Sequence, residues 1–246
     1  MDRMLYVAMS GAKETLISQA ANANNLANTN TPGFLADLNQ FRSMPVFGEG
    51  YPTRVYAMDE RHQIDYTRGA MQSTGHDLDV AVRGPGFIAV QAPDGKEAYT
   101  RRGDLRTDAN GILTNGAGLP VIGNNGPIAL PPDAKVEIGN DGTITVKPEG
   151  QQADTLAVVD RIKLVNPSPA DLEKGEDGLL RLRDGGEAPA VAEVEVVKGM
   201  LEGSNVNIVD ALVNMIDLTR RFQLQVKMME AAKDTDASAS SILRQV

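Results

Sequence analysis

From Leu212 onward, large side chains recur in alternating steps of three and four: Met215, Thr219, Phe222, Val226 and Met229. A spacing that averages about 3.5 residues keeps one seam of a helix turned toward a partner helix. Val209, Val213 and Ile216 lie beside that seam and widen the apolar face. Asn207 is a good N-cap, and Asp210 suits the positive end of the helix dipole. The first 28 residues have the same period at Leu5, Met9, Ala12, Leu16, Gln19, Ala23 and Leu26, with one polar slip at Gln19. At ~1.5 Å per residue these segments predict helices of roughly 40 to 55 Å. Neither stays dry alone. A two-helix hairpin at the edge of one globular domain satisfies the pattern, and so does a terminal pair built to pack between subunits.

The run from Ala23 to Phe34 holds Asn24, Asn25, Asn28 and Asn30 before Pro32 and Gly33, which predicts the end of the first helix. Two uses fit these amides: lateral hydrogen bonds to other chains, or a solvated, fraying helix end. Residues 34–70 read as an extended connector with one hairpin, Thr53–Met58 being a strand. From 71 to 203 the punctuation is that of β-structure, with turns at Asp94-Gly95, Asn110-Gly111, Asn125-Gly126 and Asp141-Gly142. Between the turns, Leu78–Val82, Phe87–Val90, Lys135–Ile138 and Thr143–Val146 predict strands. Leu156, Val158, Ile162 and Leu164 share one face of another, and Val191, Val194 and Val196 predict a closing strand. No helical pattern separates these strands, so the sheet is expected to be mostly antiparallel. The fold class is α+β: a coiled-coil-like terminal pair (1–33 with 204–246) and a central antiparallel β domain.

Charge sharpens this division. The net charge of −9 lies wholly between residues 35 and 203, with 17 basic and 26 acidic side chains there; residues 1–34 and 204–246 are each neutral. Neutral ends suit close packing of many copies, because like-charge repulsion adds with each copy. The acidic middle argues against nucleic acid, whose phosphates need clustered Lys and Arg. With no Cys there is no thiolate nucleophile and no Cys-based metal site. No apolar run is long enough to span a membrane, and the N-terminus lacks the pattern of a cleaved secretory signal.

Candidate chemistry is thin. Gly84-Pro85-Gly86-Phe87 has the glycines of a dinucleotide-binding turn, but Phe87–Gln91 reads as a strand where that motif needs a helix. Asp108-Ala109-Asn110-Gly111 matches part of a calcium loop, yet both anchoring positions fall on residues without carboxylates, Arg106 and Ala117. Arg102-Gly103-Asp104 is an adhesion-like triplet of the kind that arises by chance in turns. His62 and His76 are the two histidines, and no Cys or third His completes a ligand set. No catalytic, cofactor or metal residues are assigned. The competing class is an enzyme or sugar-binding module on the β domain with the helices as a dimer handle, and it requires a concave polar site within 71–200.

Four blocks, in order, resemble the axial proteins of the bacterial flagellum, and specifically its basal-body rod family. They are Asn24–Asn28 with Thr31-Pro32-Gly33-Phe34; Asp77–Val82 running into Gly84–Phe87; Tyr99–Gly103 through Gly126-Pro127-Ile128; and Leu201–Asn207 leading into the C-terminal seam. The short length and Arg42–Val46 resemble the proximal-rod branch, with a distal-rod or hook-type subunit as the alternative. The resemblance implies a structural, non-enzymatic subunit of the basal body. Its helices would line a tube around the export channel, contacting copies of itself and other rod proteins, with no cofactor. The chain would leave through the flagellar export apparatus and help transmit torque to the hook. The expected assembly residues are Leu5, Met9, Leu16, Asn25, Leu26 and Asn28 on the first segment, and Leu212, Met215, Phe222, Val226 and Met229 on the last.

Overall fold

A computed structural model describes residues 4–45, 55–131, 134–148 and 157–243. The chain is α+β and forms two compact units. One comprises the described residues up to Thr29, Ala36–Asp65 and those from Val206; the other comprises Asn30–Leu35 and Tyr66–Asn205.

The first unit contains helix α1 (Met4–Ala27), a hairpin of β1 (Asp37–Pro45) and β2 (Val55–Ile64), and helix α2 (Ile208–Leu243). Asn207 caps α2: its Oδ1 accepts the Val209 N–H at 3.0 Å and its carbonyl accepts the Ala211 N–H at 3.0 Å. Asp210 sits in the first turn, where the helix dipole favours a carboxylate. At the end of α1 the Asn28 amide nitrogen donates to the Asn24 carbonyl at 3.0 Å and to the Asn24 side-chain oxygen at 2.9 Å. Asn25 clasps the start of β1, donating to the Asp37 carbonyl (2.9 Å) and accepting the Asp37 N–H (2.8 Å). These amides therefore fasten the helix end and the hairpin within one chain.

The helices run antiparallel. Asn22 Nδ2 donates to the Ala211 carbonyl at 2.8 Å, and further along Thr15 Oγ1 lies 3.0 Å from the Gln225 side-chain amide. The covered face of α1 is small and polar: Ala8, Ala12, Thr15 and Ser18 are buried. That of α2 runs Ala211, Met215, Leu218, Phe222, Gln225, Met229 and Ala232, again in steps of four and three. The apolar period of α2 is thus real, with its inward face one position away from Leu212. On α1 the inward face is turned by roughly a quarter of the helix from Leu5, Met9 and Leu16, at 100° per residue.

β1 and β2 pair from Asp37↔Ile64 to Pro45↔Val55, with a bulge between Asn39 and Phe41. Thr53, the expected start of β2, and Val46 lie outside the described residues. A two-stranded ribbon has no core of its own, and Phe41, Met44 and Met58 are exposed on it.

In the second unit every described strand pairing is antiparallel, as the turn pattern predicts. It opens with β3 (Met71–Ser73), β4 (Val80–Arg83), β5 (Phe87–Gln91) and β6 (Glu97–Thr100). A five-stranded sheet runs in the order 164–165, β5, β6, 180–182, 172–174, and a three-stranded sheet comprises 134–138, 143–148 and 157–161. β4 pairs with 195–198 and β3 with 200–202. The core gathers Val80, Val82, Ile88, Val90, Leu113, Ile144 and Ile162. The single strand expected across 156–164 does not form. Leu156 lies outside the described residues, a bulge opposite Ile144 and Thr145 turns Val158 outward, and Leu164 joins the other sheet.

Candidate functional site

Two features of the structure bear on function, one in each unit. In the helical unit, apolar side chains lie along the outside of the pair in two stripes. The first, on α1, is Leu5, Tyr6, Met9 and Leu16; the second, on the first turns of α2, is Ile208, Val209, Leu212, Val213 and Ile216. Met9 is 54% and Val213 53% exposed, well above the scattered surface leucines that need no explanation. The sequence-predicted residues divide accordingly. Leu5, Met9, Leu16 and Leu212 point outward, whereas Leu26, Met215, Phe222, Val226 and Met229 are half-buried. Asn25 and Asn28 are half-buried and hydrogen-bonded within the unit.

The helices meet through small side chains. Gly11 lets α2 approach, since a Cβ there would come within 2.9 Å of the Gln225 amide nitrogen. Ser18 Oγ is buried without a hydrogen-bond partner among the described residues, a cost of roughly 1–3 kcal/mol against the pair.

In the β unit, a buried ion pair gathers the segments that lead to and from the other unit. Arg101 and Glu202 have side chains only 5% and 1% exposed, and Nη2 lies 2.7 Å from Glu202 Oε2. Arg101 Nε also donates to Glu202 Oε2 (2.8 Å), and Nη1 donates to the Gly86 carbonyl (2.6 Å). Nη2 approaches the carbonyls of Val82 and Gly84 at 3.3 Å each, and the guanidinium stands 5.8 Å from the Phe87 ring centroid. Glu202 holds the rest: its carbonyl accepts the Gly33 N–H at 2.8 Å and its Oε1 accepts the Gly69 N–H at 3.2 Å. Gly33 is required there. Its φ is +66°, and a Cβ would sit 2.3 Å from the Arg101 carbonyl carbon. Nearby, Lys174 Nζ donates to the Leu35 carbonyl (2.8 Å) and lies 4.2 Å from the Phe34 ring centroid.

Arg101 and Glu202 lie inside the third and fourth blocks of the family resemblance, without a role that the sequence assigns. Local pattern carries little signal for them: Arg101 follows the mixed run Glu-Ala-Tyr-Thr, and Glu202 ends a three-residue strand.

The other motifs resolve as structure. A strand, β5, follows Gly84-Pro85-Gly86, and the Gly84 and Gly86 carbonyls serve Arg101. Arg102 and Asp104 bond each other through two contacts of 2.7 and 2.8 Å, so the triplet is closed on itself. Asp108 accepts the Ile112 and Asn110 N–H groups at 2.9 and 2.8 Å. Those bonds, led by Ile112, hold its carboxyl below the usual Asp range. His76 is exposed, and the His62 side chain lies outside the described residues. A half-open hollow of ≈ 350 Å³ is lined by Gln91, Glu97, Asn124, Lys163 and Glu187, with Lys163 Nζ bound to Glu97 Oε2 at 2.7 Å. Among the described residues no helix is long and apolar enough to cross a membrane.

Family models match three stretches: residues 5–34 the flagella basal body rod protein, 81–146 the D1 domain of the flagellar hook protein FlgE/F/G, and 197–242 the C-terminal part of the flagellar basal body rod FlgEFG protein. The chain is 43% identical to the flagellar basal-body rod protein FlgF of Escherichia coli (strain K12), over 99% of both chains. The chain belongs to the flagellar basal-body rod protein family, FlgF type. It is 33% identical to FlgF of Caulobacter vibrioides over 97% of both chains. With FlgG of Buchnera aphidicola subsp. Schizaphis graminum it shares 30% identity, over 93% of this chain and 95% of that one. As a member of this family it is a structural subunit of the basal-body rod rather than an enzyme. Each matched stretch reaches the cluster: the first with Gly33, the second with Arg101 and the carbonyls that hold it, the third with Glu202.

Proposed function

We propose that the helical unit is the polymerising part of a proximal-rod subunit, its helices completed as a coiled-coil-like layer by copies of itself and by other rod proteins. The observation that carries this is the pair of exposed apolar stripes. Burying a large apolar side chain fully is worth about 1.5–3 kcal/mol, and the stripes leave much of that unrealised in one chain. Leu5, Met9, Leu16 and Leu212 make the outward contacts. Met215, Phe222, Val226 and Met229 hold the pair and reach its edge, and Leu26, Asn25 and Asn28 fix the helix end beside it. The helices surround the export channel through which the chain itself leaves the cell by way of the export apparatus. The Arg101–Glu202 cluster ties the crossing segments into one stiff base, which suits a part that carries torque toward the hook. The 43% identity to FlgF of Escherichia coli, against 30% to FlgG of Buchnera aphidicola subsp. Schizaphis graminum, favours the proximal rod over the distal rod or hook.

The test is direct localisation. A small tag in the exposed 175–178 turn, seen by electron microscopy of purified basal bodies, is expected in the part of the rod next to the motor. Labelled basal bodies with the tag on the hook side, or with no tag at all, would contradict the assignment.

A further inference from the structure

We infer that neighbouring copies join head to tail, the α1 stripe of one docking antiparallel on the α2 stripe of the next. This rests on the assembly role proposed above and specifies the surface each stripe meets. Within one chain the stripes cannot meet, because they lie at opposite ends of the pair. The contacts Asn22–Ala211 and Thr15–Gln225 set an antiparallel register that places Met9 opposite the middle of α2, more than ten residues past Val213. Bringing Met9 onto Val213 therefore requires a second copy shifted by roughly 20 Å along the helices, at ~1.5 Å per residue.

Charge selects this pairing over a twofold one. Exposed Lys13 lies within the first stripe, four residues after Met9 and three before Leu16. Exposed Asp210 and Asp217 flank Val213 at spacings of three and four. With Met9 on Val213 in antiparallel sense, Lys13 comes level with Asp210 and the Tyr6 hydroxyl with Asp217. A parallel twofold contact of either stripe with itself would set Lys13 against Lys13, or Asp against Asp, and an antiparallel one about Met9 or Val213 would face Lys13 with Leu5, or Asp210 with Ile216, leaving each charge without a partner. A heterologous contact passes from one copy to the next, the repetition that an axial assembly needs.

The chain has no Cys, so single thiols report cleanly. Cells would co-express Met9→Cys and Val213→Cys chains bearing different tags, and purified basal bodies would be treated with a short bismaleimide. The expected product carries both tags, and a chain with both substitutions gives a ladder beyond the dimer. Adding Lys13→Glu should lower the yield about two- to fivefold, the worth of an exposed ion pair, and Asp210→Lys should restore it. Dimers of Met9→Cys chains alone, or incorporation of both variants without a mixed adduct, would overturn the pairing. Absence of even the wild-type chain from basal bodies would overturn the assembly role and this pairing with it.

Discussion

Replacing Arg101 with alanine is expected to lower the unfolding free energy of the β unit by about 3–5 kcal/mol, because it strands the Glu202 carboxylate in a dry interior. Glu202 is 1% exposed and keeps the Gly69 N–H at 3.2 Å, but one amide does not replace a guanidinium that brings two nitrogens to one carboxylate oxygen and is itself held by three carbonyl acceptors. A loss of that size is a large part of the ~5–15 kcal/mol that stabilises a typical domain. Arg101→Lys should recover only part of it, since a point charge cannot span Glu202, Gly86 and Gly84 together. Arg101→Met combined with Glu202→Leu should cost less than Arg101→Ala alone, because no charge is left unpaired. Urea unfolding of the full chain, followed by hydrogen exchange at β4 and β5, gives the numbers. A loss below about 1 kcal/mol would mean that the pair is solvated.

A charge in the middle of either stripe is expected to abolish incorporation while leaving the free chain folded. Met9 and Val213 are each about half exposed, so Met9→Asp or Val213→Asp should change the stability of one chain by no more than about 0.5 kcal/mol. In an assembled rod the same carboxylate would be driven into an apolar contact. A penalty of about 3 kcal/mol per contact weakens association roughly a hundredfold. Swimming in soft agar and recovery of the chain in basal bodies measure the effect. Phe222→Asp is a poorer probe, because Phe222 is half-buried against the chain's own α1 and its loss mixes folding with assembly. Normal motility of Met9→Asp would remove the stripe from the interface.

Local rules were legible where local chemistry decides. Asn207 caps α2, Gly111 takes φ +82° in an Asn-Gly turn, and Met215, Phe222 and Met229 fall on the covered face of their helix. Of the inward face of α1, only Ala12 stood among the periodic positions. Periodicity picks out the largest apolar residues, Leu5, Met9 and Leu16, whereas the intramolecular pair packs through Gly11, Ala12, Thr15 and Ser18, whose small size lets the second helix approach. Both stripes obey the same period, and only the fold shows which the chain covers for itself. The Arg101 cluster was hidden for a different reason: it joins residues 33, 86, 101 and 202, whose proximity depends on the closed β unit. The division of 157–165 between two sheets, with Val159 bulged out of the pairing with 143–148, depends on the partner strands, which the alternation of one segment cannot reveal.

On the assembly proposed above, the helices gain their full stability from other subunits. Residue-resolved hydrogen exchange on the free full-length chain tests it, because protection reports the free energy of local opening. Amides of α1 and of the first turns of α2 should exchange faster by orders of magnitude than those of Val82 and Ile88, and should become slow in isolated basal bodies. Protection of α1 and α2 in the free chain equal to that of the β core, unchanged by assembly, would contradict it.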